Sequence, residues 1–422
     1  MTRNPDKGKS PKQLREEREQ RIMDAIELKE PDRVPVMTPM GYFPAKYTGI
    51  PYSAAYYDYD AWYAACKKTL QDFQPDAIFP QPFSPGKALE MLGPKNMRWP
   101  GYGVDEYMGH QSIEIDYMKA DEIDMYMKDP SDYMFRIFMS RASEISGGLA
   151  DLPKLSDLGG GPMGIQMLAK ALAEPSVART IRELQKAGRE MKKWRNRQMK
   201  FSQMMLDMGF PNYTHAGALP PYDIISISMR GMQGTMHDMF RQPEKLLELC
   251  DFVLKQTLSR PLPPPNEMGY IRIFMTITRG SDNFLSVKQW DKFYWPTFKK
   301  IVTELVNRGG TPCIFFEGKC DSRMEYLLDL PKGKFLARLD LTDIFRAKEI
   351  LKDHVCIEGN VPSSLLQTGT VDDVKACVKK LIDVVGKDGG YIVSTNSSID
   401  HVKPENLKAL VDFTKEYGWY KK

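Results

Sequence analysis

The sequence predicts an α/β protein built as a (β/α)8 TIM barrel, with an N-terminal helical arm and an insertion-rich middle. Three observations lead there. From about Gly309 to Gly418, one unit recurs four times: a short apolar strand that ends on a polar residue and runs into an amphipathic helix. The strands read Thr311-Pro-Cys-Ile-Phe-Phe-Glu317, Phe335-Leu-Ala-Arg-Leu-Asp340, His354-Val-Cys-Ile-Glu-Gly-Asn360 and Gly390-Tyr-Ile-Val-Ser-Thr-Asn396. Such alternation describes a parallel sheet covered on both faces, because a parallel crossover needs a helix-length connection. Finally, 422 residues, 42% hydrophobic and 27% charged, suit one large globular barrel with embellishments.

In chain order, residues 1–30 read as a charged arm leading into a helix whose sparse apolar stripe is Leu14, Ile22, Ile26 and Leu28. Residues 31–422 read as the barrel. Its first strand follows Pro31 and Asp32 as Arg33-Val-Pro-Val-Met-Thr38, and its second is Asp76-Ala-Ile-Phe-Pro80, after a helix from about Tyr59 to Asp72. Between about 85 and 220 the pattern blurs into scattered helices near 119–127, 132–146, 163–173 and 176–207. A strand is expected at Asp223-Ile-Ile-Ser-Ile-Ser228, then a helix from about Pro243 to Leu258 and a strand at Tyr270-Ile-Arg-Ile-Phe-Met-Thr276. Pro261 to Pro265 is short enough to be a loop inside one domain. The helix Val287 to Arg308 is well signposted, with Ser286 as N-cap and Gly309-Gly310 as its stop.

Composition excludes several classes. A net charge of +4, from 59 basic and 55 acidic residues, gives no push towards nucleic acid. Mean hydropathy is −0.44, and no apolar run approaches the ~18 residues that a membrane span needs. Met1 to Arg21 lacks the apolar core of a secretory signal, so a cytoplasmic protein is expected. The six cysteines form no CxxC pair, which suits a reducing compartment. Gly159-Gly-Gly-Pro-Met-Gly164 matches GxGxxG but follows no convincing strand, so it reads as a turn into a helix.

Polar residues at the carboxyl ends of barrel strands are where such folds keep their chemistry. That singles out Glu317, Asp340 and Asn360 as catalytic candidates, with the Asn396-Ser397 corner beside them. Asp282 follows a strand directly, and Tyr42 and Gln81, after strands one and two, are expected to line the pocket. Alternation puts Cys313, Phe315 and Glu317 on one strand face, with Phe315 an apolar floor beneath the carboxylate. Arg338 and Asp340 share a face too, and are expected either to pair at the mouth or to bind substrate. Glu317, Cys320 and His401 carry donor types that suit zinc, although their spacing matches no standard motif.

The order Arg33-Val-Pro-Val, Pro220-Pro-Tyr-Asp223 with Met229-Arg-Gly231, Phe284-Leu-Ser286 with Tyr294-Trp-Pro296, Gly359-Asn360, then Gly389-Gly390-Tyr-Ile with Pro404-Glu-Asn-Leu407 resembles the uroporphyrinogen decarboxylase superfamily. The resemblance implies a (β/α)8 barrel, and either a haem-pathway decarboxylase or a corrinoid-dependent methyltransferase. Uroporphyrinogen carries eight carboxylates, which fixed guanidinium groups must hold. The family's arginine loop after strand one reads Thr38-Pro-Met-Gly-Tyr-Phe-Pro44 here, without arginine, and its Phe-Ser-Asp element reads Phe79-Pro-Gln81. The methyltransferase branch binds zinc through His-x-Cys-Gly and a last-loop Cys. Here those positions hold Phe315, Glu317, Gly318 and Ser397, so the standard zinc site is absent as written.

The resemblance therefore implies a methyltransferase that moves a methyl group between a small O-, N- or S-methyl compound and a cobalamin (corrinoid) protein, with Glu317 acting at the barrel mouth. The corrinoid would be presented by a partner, for which the basic helix face Met191 to Lys200 is one docking place. The alternatives are a carboxy-lyase acting on a carboxylated cyclic substrate, with Arg272, Arg279 or Arg338 as replacement anchors, and a ligand-binding barrel without catalysis.

Overall fold

The structure, a computed structural model, describes residues 8–79 and 84–420. Eight short parallel strands organise it: β1 Met37–Thr38, β2 Ala77–Ile78, β3 Ala216–Gly217, β4 Ile271–Ile277, β5 Gly310–Phe316, β6 Leu336–Leu339, β7 Cys356–Val361 and β8 Tyr391–Thr395. Strands β3 to β8 form one six-stranded parallel sheet in sequence order. A parallel bridge between Val36 and Val393, with the Val393 N–H donating to the Pro35 carbonyl at 2.9 Å, sets the β1–β2 pair beside β8. No ladder joins β2 to β3 among the described residues. The arrangement is an α/β protein whose six-stranded parallel sheet is extended by a two-stranded pair.

The strands alternate between two apolar environments. Outward-facing Ile273, Met275, Ile277, Ile314 and Phe316 pack with the surrounding helices into the main core. Cys313, Leu336, Cys356 and Ile392 join Met37, Ala77 and Tyr213 in a second core on the concave side. That inner core is completed by Ile22, Met23, Ala25 and Ile26, so the N-terminal helix Pro11–Ile26 stops the amino-terminal end of the sheet. Ser10 starts this helix with a capping box to Gln13, and Pro11 fills its first turn.

The rest of that helix is fastened by buried charge. Arg272 on β4 donates to both oxygens of Glu19 at 2.6 and 2.8 Å. Asp76, just before β2, accepts from Arg21 at 2.8 Å and from Arg33 at 2.7 Å, and also from the Val36 N–H. These cations hold the Asp76 carboxyl well below the usual range despite its burial.

One expected strand is a helix. Asp223 to Ser228 folds as one helical turn, Pro221–Asp223, running into a π-helical turn, Ile224–Met229. Pro220-Pro221 sets the dihedrals of a helix start, and the Asp223 carboxylate is taken by the backbone leaving β4. The strand that does lie there, β3, is two residues long and carries no apolar run for periodicity to find. In the middle of the chain, helices Gly161–Ala173 and Pro175–Asp207 form close to their expected limits, and the GxGxxG segment is the turn into the first. Among the described residues no helix is long and apolar enough to cross a membrane.

Candidate functional site

On β4 and β5 the usual burial pattern is inverted. Ile273, Met275, Ile277, Ile314 and Phe316, on the outer face, are buried, whereas inward-facing Phe274, Thr276 and Phe315 are partly exposed. Asn360 is the partly exposed residue of β7. The concave face therefore opens to solvent at the carboxyl ends of the strands, above the plugged inner core. The Phe79 ring, just beyond β2, meets Phe274 edge-on at 4.8 Å and Tyr213 at 5.9 Å, which brings the end of β2 against the β3–β4 side of this face.

The rim is a set of side-chain ties between neighbouring strand ends. Asp340, after β6, accepts the Gly318 N–H and the Asn396 amide, each at 2.9 Å. Asn396 in turn accepts the Ser363 N–H at 2.8 Å. The Asn360 amide donates to the carbonyls of Asp340 and Thr342 at 3.1 and 3.0 Å. Gly359 precedes it with φ +129°, where a Cβ would sit 2.8 Å from the Leu339 carbonyl, so the position demands glycine. Asp282 accepts from the Ser322 hydroxyl at 2.6 Å and lies 3.5 Å from Arg323. Polar residues that the sequence offers as ligand contacts thus spend much of their capacity holding the rim rigid.

Glu317 is the exception. It is exposed at the end of β5 and makes no side-chain hydrogen bond or ion pair among the described residues. Its carboxylate is free to meet a ligand.

Beneath the rim lies a polar floor, of which sequence reasoning found only Arg338. Register places Arg338 of β6 beside Glu358 of β7 and Phe315 of β5. Arg338 does not pair with Asp340: its guanidinium stacks 4.6 Å from the Phe315 ring centroid, and its Nε lies 3.4 Å from Glu358 Oε1. The Tyr213 hydroxyl donates to the other Glu358 oxygen. Burial pushes the Glu358 carboxyl above the usual carboxylate range, against the pull of Arg338, Tyr213 and Ser394. Arg338 Nε, Glu358 Oε1 and Ser394 Oγ are buried together, Nε lying 3.4 Å from Oε1 and the Ser394 hydroxyl bonding to Glu358. A carboxylate inside an otherwise apolar strand was the signal available for Glu358, whereas nothing marks Tyr213 or Ser394 in the sequence.

Other expected residues fall elsewhere. Tyr42 is 3% exposed, stacked on Tyr52, with its hydroxyl in contact with Tyr56 at 3.0 Å and His110 at 3.3 Å, so it is core rather than pocket lining. Ser397 lies at the β8 end, 3.3 Å from the Ser363 hydroxyl. Gln81 lies outside the described residues. The zinc set does not assemble. Cys320 is fully buried, its thiol pushed up by burial and directed at the Glu317 carbonyl, while His401 contacts the Tyr52 hydroxyl at 3.1 Å. Among the described residues no three His, Cys, Asp or Glu side chains are grouped to hold a metal ion. These donors do not fit zinc.

Asp223 is wholly buried behind the β4 end, where it accepts the N–H groups of Thr278 and Arg279 at 3.0 and 2.9 Å and the Tyr294 hydroxyl at 2.8 Å. Burial pushes its carboxyl up to about 6. The neighbouring Arg279 pairs with Glu114 at 2.9 Å. An apolar cleft of about 460 Å³ lies in the inserted region between Phe135, Leu152, Leu155, Leu168, Leu172 and Ile181. It contains no strand-end residue and lies outside the candidate site.

Comparison with known proteins agrees with this geometry. The family model of uroporphyrinogen decarboxylase (URO-D) matches residues 215–417, which carry β3 to β8 and most of the rim. The uroporphyrinogen decarboxylase of Chlorobium phaeobacteroides is 28% identical over 158 residues, 34% of this chain and 44% of that protein. That of Chlorobium luteolum is 37% identical over 137 residues, 31% of this chain and 38% of that protein. The matches span less than half the length of these relatives. A methyltransferase from Methanosarcina mazei shares the fold across 95% of this chain and 98% of its own, with a TM-score of 0.58 and 15% identity. Residues 215–417, just under half of the chain, are thus similar to the uroporphyrinogen decarboxylase family.

Proposed function

We propose that this chain is a methyltransferase of the family, moving a methyl group between a small O-, N- or S-methyl compound and a corrinoid protein, with the sheet acting as a (β/α)8 barrel around the lumen. The observation that carries the reading is the state of the arginines. Arg272 is held by Glu19, Arg279 by Glu114 and Arg338 by Glu358. Each guanidinium that could anchor a substrate carboxylate already faces a carboxylate of the protein, so a polycarboxylate would find little uncompensated positive charge. Partly exposed Phe274 and Phe315 instead suit a small, weakly charged molecule.

The corrinoid, brought by a partner, supplies the nucleophile that takes the methyl group. This chain's residues act on the other side of the bond. Glu317 delivers a proton to the departing heteroatom, or removes it in the reverse direction, and is the one rim carboxylate without a competing partner. Asp340 and Asn360 fix the ends of β5, β6 and β8 so that Glu317 is held over the lumen. The phenylalanines exclude water and strengthen the contact between Glu317 and the heteroatom.

The test is spectroscopic. The chain is mixed with reduced cobalamin and a panel of methyl ethers, methylamines and methyl thioethers. A donor-dependent change in the cobalamin spectrum that requires the chain supports methyl transfer, and no change with any donor class contradicts it. A second reading, a carboxy-lyase, is favoured by the names of the curated relatives. Release of CO2 from uroporphyrinogen would establish it instead.

A further inference from the structure

The inserted region carries a helix that the fold leaves largely in water. The least exposed residues of helix Gly161–Ala173 are Gly164, Leu168 and Ala171, one stripe at helical spacing, on the side that packs against the Leu155–Leu158 turn and helix Pro175–Asp207. The rest of its surface is apolar as well: Met163 is 69% exposed, Ile165 68%, Met167 45% and Leu172 42%. Its one charge is Lys170. A helix apolar around most of its circumference is ordinarily buried, since water gains nothing from the outer face. Beside this ridge lies the apolar cleft of about 460 Å³, walled by Leu168 and Leu172 of the helix and by Phe135, Leu152 and Leu155. Phe135 and Leu155 are exposed too, Leu155 at 73%. At roughly 150–200 Å² per large side chain, ridge and cleft leave about 500–600 Å² of apolar surface in water, the upper end of what a monomer shows.

Shape, charge and area favour one occupant, a second copy of this chain. Ridge and groove stand side by side on one surface, so a two-fold axis between them places each ridge in the other copy's groove, the self-complementary patch that a symmetric dimer needs. Lys170 on the ridge makes no ion pair among the described residues. The cleft is edged by Asp129, whose carboxylate accepts the Asp132 N–H at 3.0 Å and faces no salt-bridge partner among the described residues. Cation on the ridge and anion at the groove are therefore matched across the axis. With its polar rim the surface approaches the ~800 Å² per partner that stable interfaces bury. We infer that two copies of this chain pair through the inserted region, the Gly161–Ala173 helix of each seated in the apolar cleft of the other. The pairing goes beyond the methyl-transfer reading and is independent of it, since neither ridge nor cleft contains a strand-end residue.

Sedimentation equilibrium of the full chain tests it. The native chain is expected to dimerise, and Ile165→Glu to raise the dimer dissociation constant about thirtyfold or more, the effect of losing a central contact. Its circular dichroism should not change, because the side chain lies in water in the single copy. Phe240→Glu alters a side chain that is 76% exposed on helix Gly231–Arg241, outside the inserted region, and should leave the constant as it is. Lys170→Glu touches no packing and should weaken pairing about three- to tenfold; it keeps the inference testable if Ile165→Glu does not fold. A chain that stays monomeric up to about 100 μM overturns the inference. So does a dimer that Ile165→Glu and Lys170→Glu leave intact, or one that Phe240→Glu weakens equally. A monomer that binds phosphatidylcholine vesicles through Ile165 would assign the patch to a lipid surface and overturn it too. No methyl donor or corrinoid enters the measurement, so its failure leaves the spectroscopic assay of methyl transfer standing, and the reverse holds as well.

Discussion

Two buried ion pairs on the inner face of the same sheet have opposite characters. At the amino-terminal end, Glu19 and Arg272 make two aligned hydrogen bonds, and Arg272 also donates to the backbone carbonyls of Asn212 and Tyr213. Higher on the inner face, Glu358 and Arg338 approach at a longer 3.4 Å, and Glu358 is bonded by the Tyr213 and Ser394 hydroxyls instead. A buried charge pair is retained at a desolvation cost that only good geometry and additional bonds repay. The first pair meets that condition within the protein. The second relies less on its cation, since Glu358 also draws on Tyr213 and Ser394 and its carboxyl is raised by burial. The first pair therefore needs its charges, and the second depends on them less.

The largest effect that would sharpen this contrast is at the mouth. Glu317→Gln should lower the rate of methyl transfer about 10²–10⁴-fold, yet shift urea unfolding by no more than about 0.5 kcal/mol because the side chain is exposed. An unchanged rate removes Glu317 from the chemistry. Next come the two arginines. Arg272→Met strands a buried Glu19 and should cost about 3–5 kcal/mol in urea unfolding. Arg338→Met should cost less, about 1–2 kcal/mol, because the Glu358 carboxyl is already raised and takes up a proton in place of its partner. Equal losses would break the comparison.

A pH profile tests the middle of the range. Asp223 is raised from its unfolded value of 3.8 to about 6 in the folded protein. The folded state therefore holds the proton more tightly, and its contribution is present below about pH 4 and lost as pH rises through about 6. Up to about 3 kcal/mol is at stake. Asp76 has the opposite sign, since its carboxyl is held low, and its contribution is lost as pH falls below its unfolded range. Asp223→Asn should flatten the decline between pH 4 and 6 and leave the acid limb intact. A decline that persists in the variant assigns it to another group. Smallest is the rim. Asp340→Asn keeps one acceptor for Gly318 or Asn396 and loses the other, which should cost about 1–2 kcal/mol in unfolding. A fully silent change would mean that the rim ties do not hold the strand ends.

The sequence was legible where strands are long. Strands β4 to β8 lie within about two residues of their expected limits, because four to seven consecutive residues leave a periodic trace. Strands β1 and β2 lie within longer expected runs, of which only two residues each pair as a ladder. β3 leaves no apolar trace to read, and the apolar run after Pro221 reads as a strand because β-branched residues alone do not separate the two states. Rim residues were found by position, but not their duty: that Asp340 binds Gly318 and Asn396 depends on register across β5, β6 and β8. The same holds for Arg338, whose partner proved to be Glu358 across the ladder rather than Asp340 along the strand. Cys320 and His401 have the donor types for zinc but stand in different environments, one packed in the main core and one against Tyr52.

The most direct test of the account is the donor-dependent change in the spectrum of reduced cobalamin, compared between the native chain and Glu317→Gln. The account predicts a change with at least one methyl donor that slows about 10²–10⁴-fold in the variant. A change of equal rate in the variant, or no change with any donor class, would contradict it.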